Sequence, residues 1–113
     1  MRRPTDEMNS THLKFPIQTA ITGPLHEWMG LSPARDEFVR WAMHEALTYQ
    51  NWGDLDPEDI ALNDEAAQSL DGGRILCAYR IPPFIKYRAL DDKIWVIIER
   101  SRDIATALYP SEY

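Results

Sequence analysis

The sequence predicts an α+β domain, two main helices packed on a three- to four-stranded antiparallel sheet, and three observations carry that expectation. The last forty residues contain three runs rich in β-branched and aromatic residues, Arg74–Ile81, Lys93–Arg100 and Ile104–Tyr109. Gly, Pro, Asp and Ser separate them, the pattern of an antiparallel meander. Upstream, two segments combine helix-start chemistry with three-four apolar spacing. Finally, 113 residues are enough for one hydrophobic core but not for two.

The elements follow in order. Residues 1–12 are polar and without period, and read as a mobile arm ahead of a single domain over 13–113. Leu13–Thr22 reads as an edge strand, because Pro16 lacks the donor an internal strand needs. Gly23-Pro24 opens a short helical turn, Leu25–Met29, which Gly30 closes. A long helix is expected from Pro33 to about residue 50. Ser32 is its N-cap, Pro33 sits where no N–H is required, and Asp36 and Glu37 meet the positive end of the dipole. Ala34, Phe38, Trp41, Ala42, Glu45 and Tyr49 follow the helical spacing, and Val39, Met43, Ala46 and Leu47 widen the stripe.

A second helix starts at Asp56-Pro57, with Glu58 and Asp59 in its first turn. Leu62, Ala66 and Leu70 form its apolar line, and Gly72-Gly73 is the expected stop. Asn51–Leu55 is the tight connection between the helices. One face of the sheet is expected to remain partly exposed.

Charge narrows the function classes. The net charge of −6 argues against general nucleic-acid binding, which calls for a basic face. It is also segregated: residues 41–73 hold eight acids and no Lys or Arg, whereas 74–102 hold seven bases against three acids. Such segregation fits either attraction between helix and sheet or a charged docking surface. No apolar run approaches the ~18 residues of a membrane span, and no secretory signal opens the chain. The single Cys77 excludes an internal disulfide and fits a reducing compartment. The expectation is a cytoplasmic protein without a membrane partner.

Site-like constellations are few. Asp54, Asp56, Glu58 and Glu65 imitate a calcium loop, but Asp59 occupies the position where such a loop needs Gly, and Pro57, Ile60 and Leu62 suit a helix start. Cys77 is in phase with Ile75, Tyr79 and Ile81, so it reads as packing, and His12, His26 and His44 show no ligand or catalytic spacing. The four tryptophans read as core or boundary residues, since basic residues do not accompany most of them. Neither metal nor cofactor is expected, and no catalytic residue is assigned.

The most site-like cluster lies on the last hairpin: Glu99, Arg100, Ser101, Arg102, Asp103 and Thr106. Turn chemistry and cross-strand pairing explain it; recognition of an anion or a protein carboxylate is the functional alternative. Candidate partner-binding residues are therefore Glu99, Arg100, Arg102 and Thr106 on the hairpin. Asp56, Glu58, Asp64 and Glu65 are the candidates on the second helix.

Trp52-Gly-Asp-Leu55, Glu58-Asp59, Asn63, Gly73-Arg-Ile-Leu76, Ala78-Tyr79, Lys93-Ile-Trp95, Glu99, Arg102, Thr106 and the tail Leu108–Tyr113 stand in an order that resembles a family of short bacterial proteins. That uncharacterised family is carried on plasmids, integrative elements and phages, and shares a Trp-Gly-Asp-Leu turn and a closing Leu-x-Pro-x-Glu-Tyr-like tail. The resemblance covers roughly residues 50–113, with a fainter echo at Thr19–Trp28. This chain departs from the pattern at Ala46 and Leu47, where the family favours Arg-His, and at Ile98, Ser101 and Ala105, which replace Thr, Asp and Thr.

The resemblance implies a mobile-element accessory protein. With small size, acidic charge and segregated surfaces, the first expectation is a non-enzymatic protein that binds another protein. Inhibition of a host defence system, such as CRISPR interference or restriction, is its most concrete form. An acidic DNA mimic or nucleic-acid-linked regulator using the carboxylates of residues 54–71 is one alternative; a small enzyme using Glu99, Arg102 and Thr106 is another. An edge strand leaves homodimerisation open as well.

Overall fold

The computed structural model describes residues 17–69 and 72–113. The N-terminal arm, the first residues of the expected edge strand, and Leu70 lie outside the described residues. The elements run β1 (Gln18–Ile21), α1 (Gly23–Met29), α2 (Pro33–His44), a π-helical turn (Glu45–Tyr49), α3 (Pro57–Ala67), β2 (Ile75–Arg80), β3 (Lys93–Ile98) and β4 (Ile104–Leu108). Short 3-10 turns occupy Pro83–Ile85 and Pro110–Glu112.

The α+β class and the C-terminal meander are as expected. β2 pairs antiparallel with β3, with Cys77 opposite Val96, and β3 pairs antiparallel with β4, with Val96 opposite Ala107. One expectation is corrected: the sheet is mixed. β1 joins the edge beside β4 in parallel, Gln18 against Ile104 and Ile21 against Ala107, giving the order β1-β4-β3-β2. Parallel pairing requires a long crossover, and here every α-helix among the described residues lies between the two strands.

Strand alternation builds the core. Ile75, Cys77 and Tyr79 of β2, Ile94, Val96 and Ile98 of β3, and Ala105 and Ala107 of β4 are all buried. They pack with Leu25, Trp28 and Met29 of α1 and Val39, Ala42 and Ala46 from α2 onward. The small Ala105 and Ala107 leave room for these helical side chains. On the other face Trp95 and Thr106 are half-buried, while Ile97 and Leu108 are buried.

The helices start where their caps dictate, and most of the expected stripe packs inward, but Trp41 and Leu62 turn outward. In α2 the Ser32 hydroxyl accepts the Arg35 amide at 3.3 Å, and the buried line is Arg35, Val39 and Ala42, leaving Trp41 largely exposed. The α-helix ends at His44, and the chain closes through the π turn onto Gln50 in the left-handed region, φ 53. In α3 the inward residues are Asn63 and Ala67, while Leu62 faces solvent. Asn63 explains this orientation: its side-chain amide donates to the Leu76 carbonyl at 2.9 Å, tying α3 to β2. The helix stops at Ala67, short of the expected Gly72-Gly73.

Candidate functional site

Most of the residues singled out in the sequence have structural work. Trp52-Gly53-Asp54 is more than a connection. Trp52 is buried and donates its indole N–H to Asp64 at 2.8 Å. Gly53 bridges Ala78 in parallel, Asp54 donates its amide to the Ala78 carbonyl at 2.7 Å, and the Asp54 carboxylate accepts the Arg80 amide at 2.8 Å. This segment covers the outer edge of β2, a common way to protect a sheet edge.

The C-terminal tail is equally local in purpose. The Glu112 carboxylate accepts the Tyr109 amide at 2.8 Å and the Thr22 hydroxyl at 2.9 Å, closing the last turn onto the start of α1. Tyr113 packs edge-on against Trp95, and the Arg74 guanidinium lies 4.8 Å from the Tyr113 ring centre.

The hairpin cluster gives up Arg102 to the interior. Arg102 is 1% exposed and adopts φ 64; it reaches inward to the Ala66 carbonyl at 2.8 Å and the Glu99 carbonyl at 3.2 Å. A guanidinium at the last carbonyls of α3 answers the negative end of that helix. Burial lowers its pKa from the usual value. Glu99 is half-buried, Arg100 is exposed, and Thr106 sits in mid-strand opposite Ile97. Ser101 donates its hydroxyl to Asp103 within the turn.

On α3, Asp56, Glu58 and Glu65 are exposed, whereas Asp64 is engaged by Trp52. Asp56 holds the N-cap position without a side-chain bond to the helix amides. Among the described residues no group of three His, Cys, Asp or Glu side chains is arranged to hold a metal ion, and no helix is long and apolar enough to cross a membrane. Cys77 is buried, and burial pushes its thiol up to about 12.

The surface that stands apart lies in the segment between the first two strand runs, where the sequence shows only separating Pro and Asp residues. Residues 81–92 join β2 to β3 and carry Phe84, Tyr87 and Leu90 at 82%, 72% and 61% exposure. Lys86 and Arg88 are interleaved with them. Large apolar side chains displayed together in a connection mark an interaction surface more than isolated ones do.

This loop is held firmly from below. At its base the Ile81 amide donates to the Asp92 carbonyl at 2.9 Å, and Lys86 pairs with Asp92 at 2.6 Å. Buried Ile85 anchors the 3-10 turn. Arg35, itself buried in α2, donates Nε to the Ile85 carbonyl at 3.2 Å and Nη2 to the Tyr87 carbonyl at 2.8 Å. The Trp28 indole N–H donates to the same Tyr87 carbonyl at 3.0 Å, and the Arg35 guanidinium lies 5.0 Å from the Trp28 ring centre. The Asp91 carboxylate accepts the Ser111 amide at 3.0 Å, which ties the loop to the tail. Arg88 takes φ 66 and lays its guanidinium 5.5 Å from the Tyr87 ring centre.

Two signals could have found this surface. A connection of twelve residues, 81 through 92, is long for a meander, and its aromatics follow no period that a core would demand. What the sequence could not reveal is the support, because Trp28 and Arg35 lie some fifty residues upstream. No family model matches the chain, and neither a curated protein nor a solved structure matches it.

Proposed function

We propose that this chain acts by binding another protein, with the β2–β3 loop as its principal contact. One observation carries the reading: Phe84, Tyr87 and Leu90 are presented to solvent by a backbone that Arg35 and Trp28 already hold in place. Exposed aromatics and Arg dominate binding hot spots, and a loop ordered before encounter loses less entropy on association. Contact, as opposed to catalysis, is favoured because the Arg102 guanidinium is directed into the protein, spent on the Ala66 and Glu99 carbonyls. Inhibition of a host defence system by a mobile-element protein is the concrete form of this reading, and it rests on the resemblance of residues 50–113.

Affinity capture from lysate of the host, with two variants beside the wild type, tests the proposal. Phe84→Ser/Tyr87→Ser should lose a stoichiometric protein that Asp56→Lys/Glu58→Lys/Glu65→Lys retains. Loss confined to the charge-reversed variant would favour the acidic helix and a DNA-mimicking role. Recovery of no stoichiometric protein by the wild type would overturn the proposal.

A further inference from the structure

We infer that the cleft between α1 and this loop is the socket for a single side chain of the partner, one with an apolar shaft and a neutral hydrogen-bonding tip, tyrosine being the best fit. The inference rests on the loop being the contact surface and adds what that surface recognises.

The cleft has a volume of about 260 Å³, below the 300–1,000 Å³ typical of small-molecule sites. That space suits one inserted side chain better than a cofactor. Its floor is two buried rings, Trp28 and Tyr109, edge to face at 6.4 Å and 65°. Exposed Leu31 and Leu90 form its walls, and Glu27 and Arg88 stand at the mouth. Their charges offset, so the mouth selects neither sign, and the apolar walls and floor favour a neutral occupant.

The polar requirement comes from Tyr109. Its side chain is fully buried, and its hydroxyl has no hydrogen-bond partner. The Leu90 backbone lies close enough to interact with it but does not reach hydrogen-bond geometry. Buried hydroxyls are normally satisfied, and an orphaned one destabilises the chain that carries it. Burial pushes this hydroxyl up to about 12, so it stays a donor at neutral pH. Leu90 lines the same cleft from the exposed bend, and exposed side chains change rotamer quickly. An occupant that shifts Leu90 gains the bond that the free protein lacks. Tyr87, whose ring lies under the Arg88 guanidinium that lines the cleft, would then help exclude water from it.

A nucleic-acid base is the other aromatic occupant to weigh. Asp91 and Glu27 are matched there by Arg35 and Arg88, so it is the net charge of −6 that disfavours a phosphate-bearing occupant.

Titration of the ¹⁵N-labelled full chain with p-cresol and with toluene, the tyrosine and phenylalanine side chains, tests the socket. The Trp28 indole N–H and the Leu90 amide are the reporters. The affinity ratio of p-cresol to toluene should fall about fivefold or more in Tyr109→Phe, while toluene binding changes little. Leu31→Trp, at an exposed wall position, should abolish the shifts caused by both probes, and it keeps the test decisive should Tyr109→Phe fail to fold. An unchanged ratio, no shift from either probe, or a stronger response to cytidine monophosphate would each overturn the inference. If the loop variants lose their partner while neither probe enters the cleft, the socket is wrong and the loop reading stands.

Discussion

A Cβ at position 53 would fall 1.9 Å from the Ala78 carbonyl oxygen, at a φ of +85. Neither the contact nor the backbone geometry tolerates a side chain. Gly53→Ala therefore forces the Trp52–Asp54 segment off the edge of β2 and should cost about 2–4 kcal/mol, read as a lower urea midpoint. Gly72 makes a similar approach, since its Cβ would lie 2.5 Å from the Ala66 oxygen that also accepts Arg102. At this scale the sequence was informative about identity but not about role. The Trp-Gly-Asp turn and the closing Tyr-Pro-Ser-Glu-Tyr were conspicuous as motifs, and both proved to be clamps on the sheet. Arg102 looked like a surface arginine because nothing local announces a buried guanidinium; its partner at Ala66 comes from another element.

Among the elements, those defined by nearest neighbours were legible. Ser32-Pro33 and Asp56-Pro57 mark helix starts through chemistry confined to one turn, and the meander strands announce themselves by alternation. The parallel pairing of β1 was not legible. Gln18–Ile21 alternates identically in either direction, and its neighbour β4 lies at the far end of the chain. The β2–β3 loop was not legible for a related reason, since its order depends on α1 and α2. Arg35 is the element-scale test. Arg35→Met keeps the packing volume but leaves the Ile85 and Tyr87 carbonyls without that donor, and should destabilise the fold by about 2–3 kcal/mol. Hydrogen exchange at the Ile85 and Ala89 amides should accelerate well beyond that at Val96. Uniform acceleration would show that the loop is not held separately.

For the molecule as a whole, the buried acids set the pH response. Burial raises the Cys77 thiol from 9.0 to about 12, raises Tyr109 to about 12, and pushes Tyr79 upward too. In the unfolded chain these groups lose their protons earlier, so the folded state binds more protons in the alkaline range. Their contribution is fully present below about pH 9 and is lost as pH rises toward 12, with Cys77 alone removing about 1.4 kcal/mol per pH unit in that window. Thermal melts should be flat in this respect near neutrality and fall steeply above pH 9, and Cys77 should react with a disulfide reagent only as the protein unfolds. The same scale shows why the acidic half did not suffice to name a contact surface. Net charge is a sum over the chain, whereas the candidate interface is set by where a few aromatic side chains are held.

Site-specific photocrosslinking examines that placement most directly. A benzophenone amino acid installed at Phe84 in one variant and at Leu62, an exposed position on α3, in another would be irradiated in host cells. A single covalent adduct from position 84 and none from position 62 is the outcome expected here; an adduct from 62 with none from 84 would contradict it.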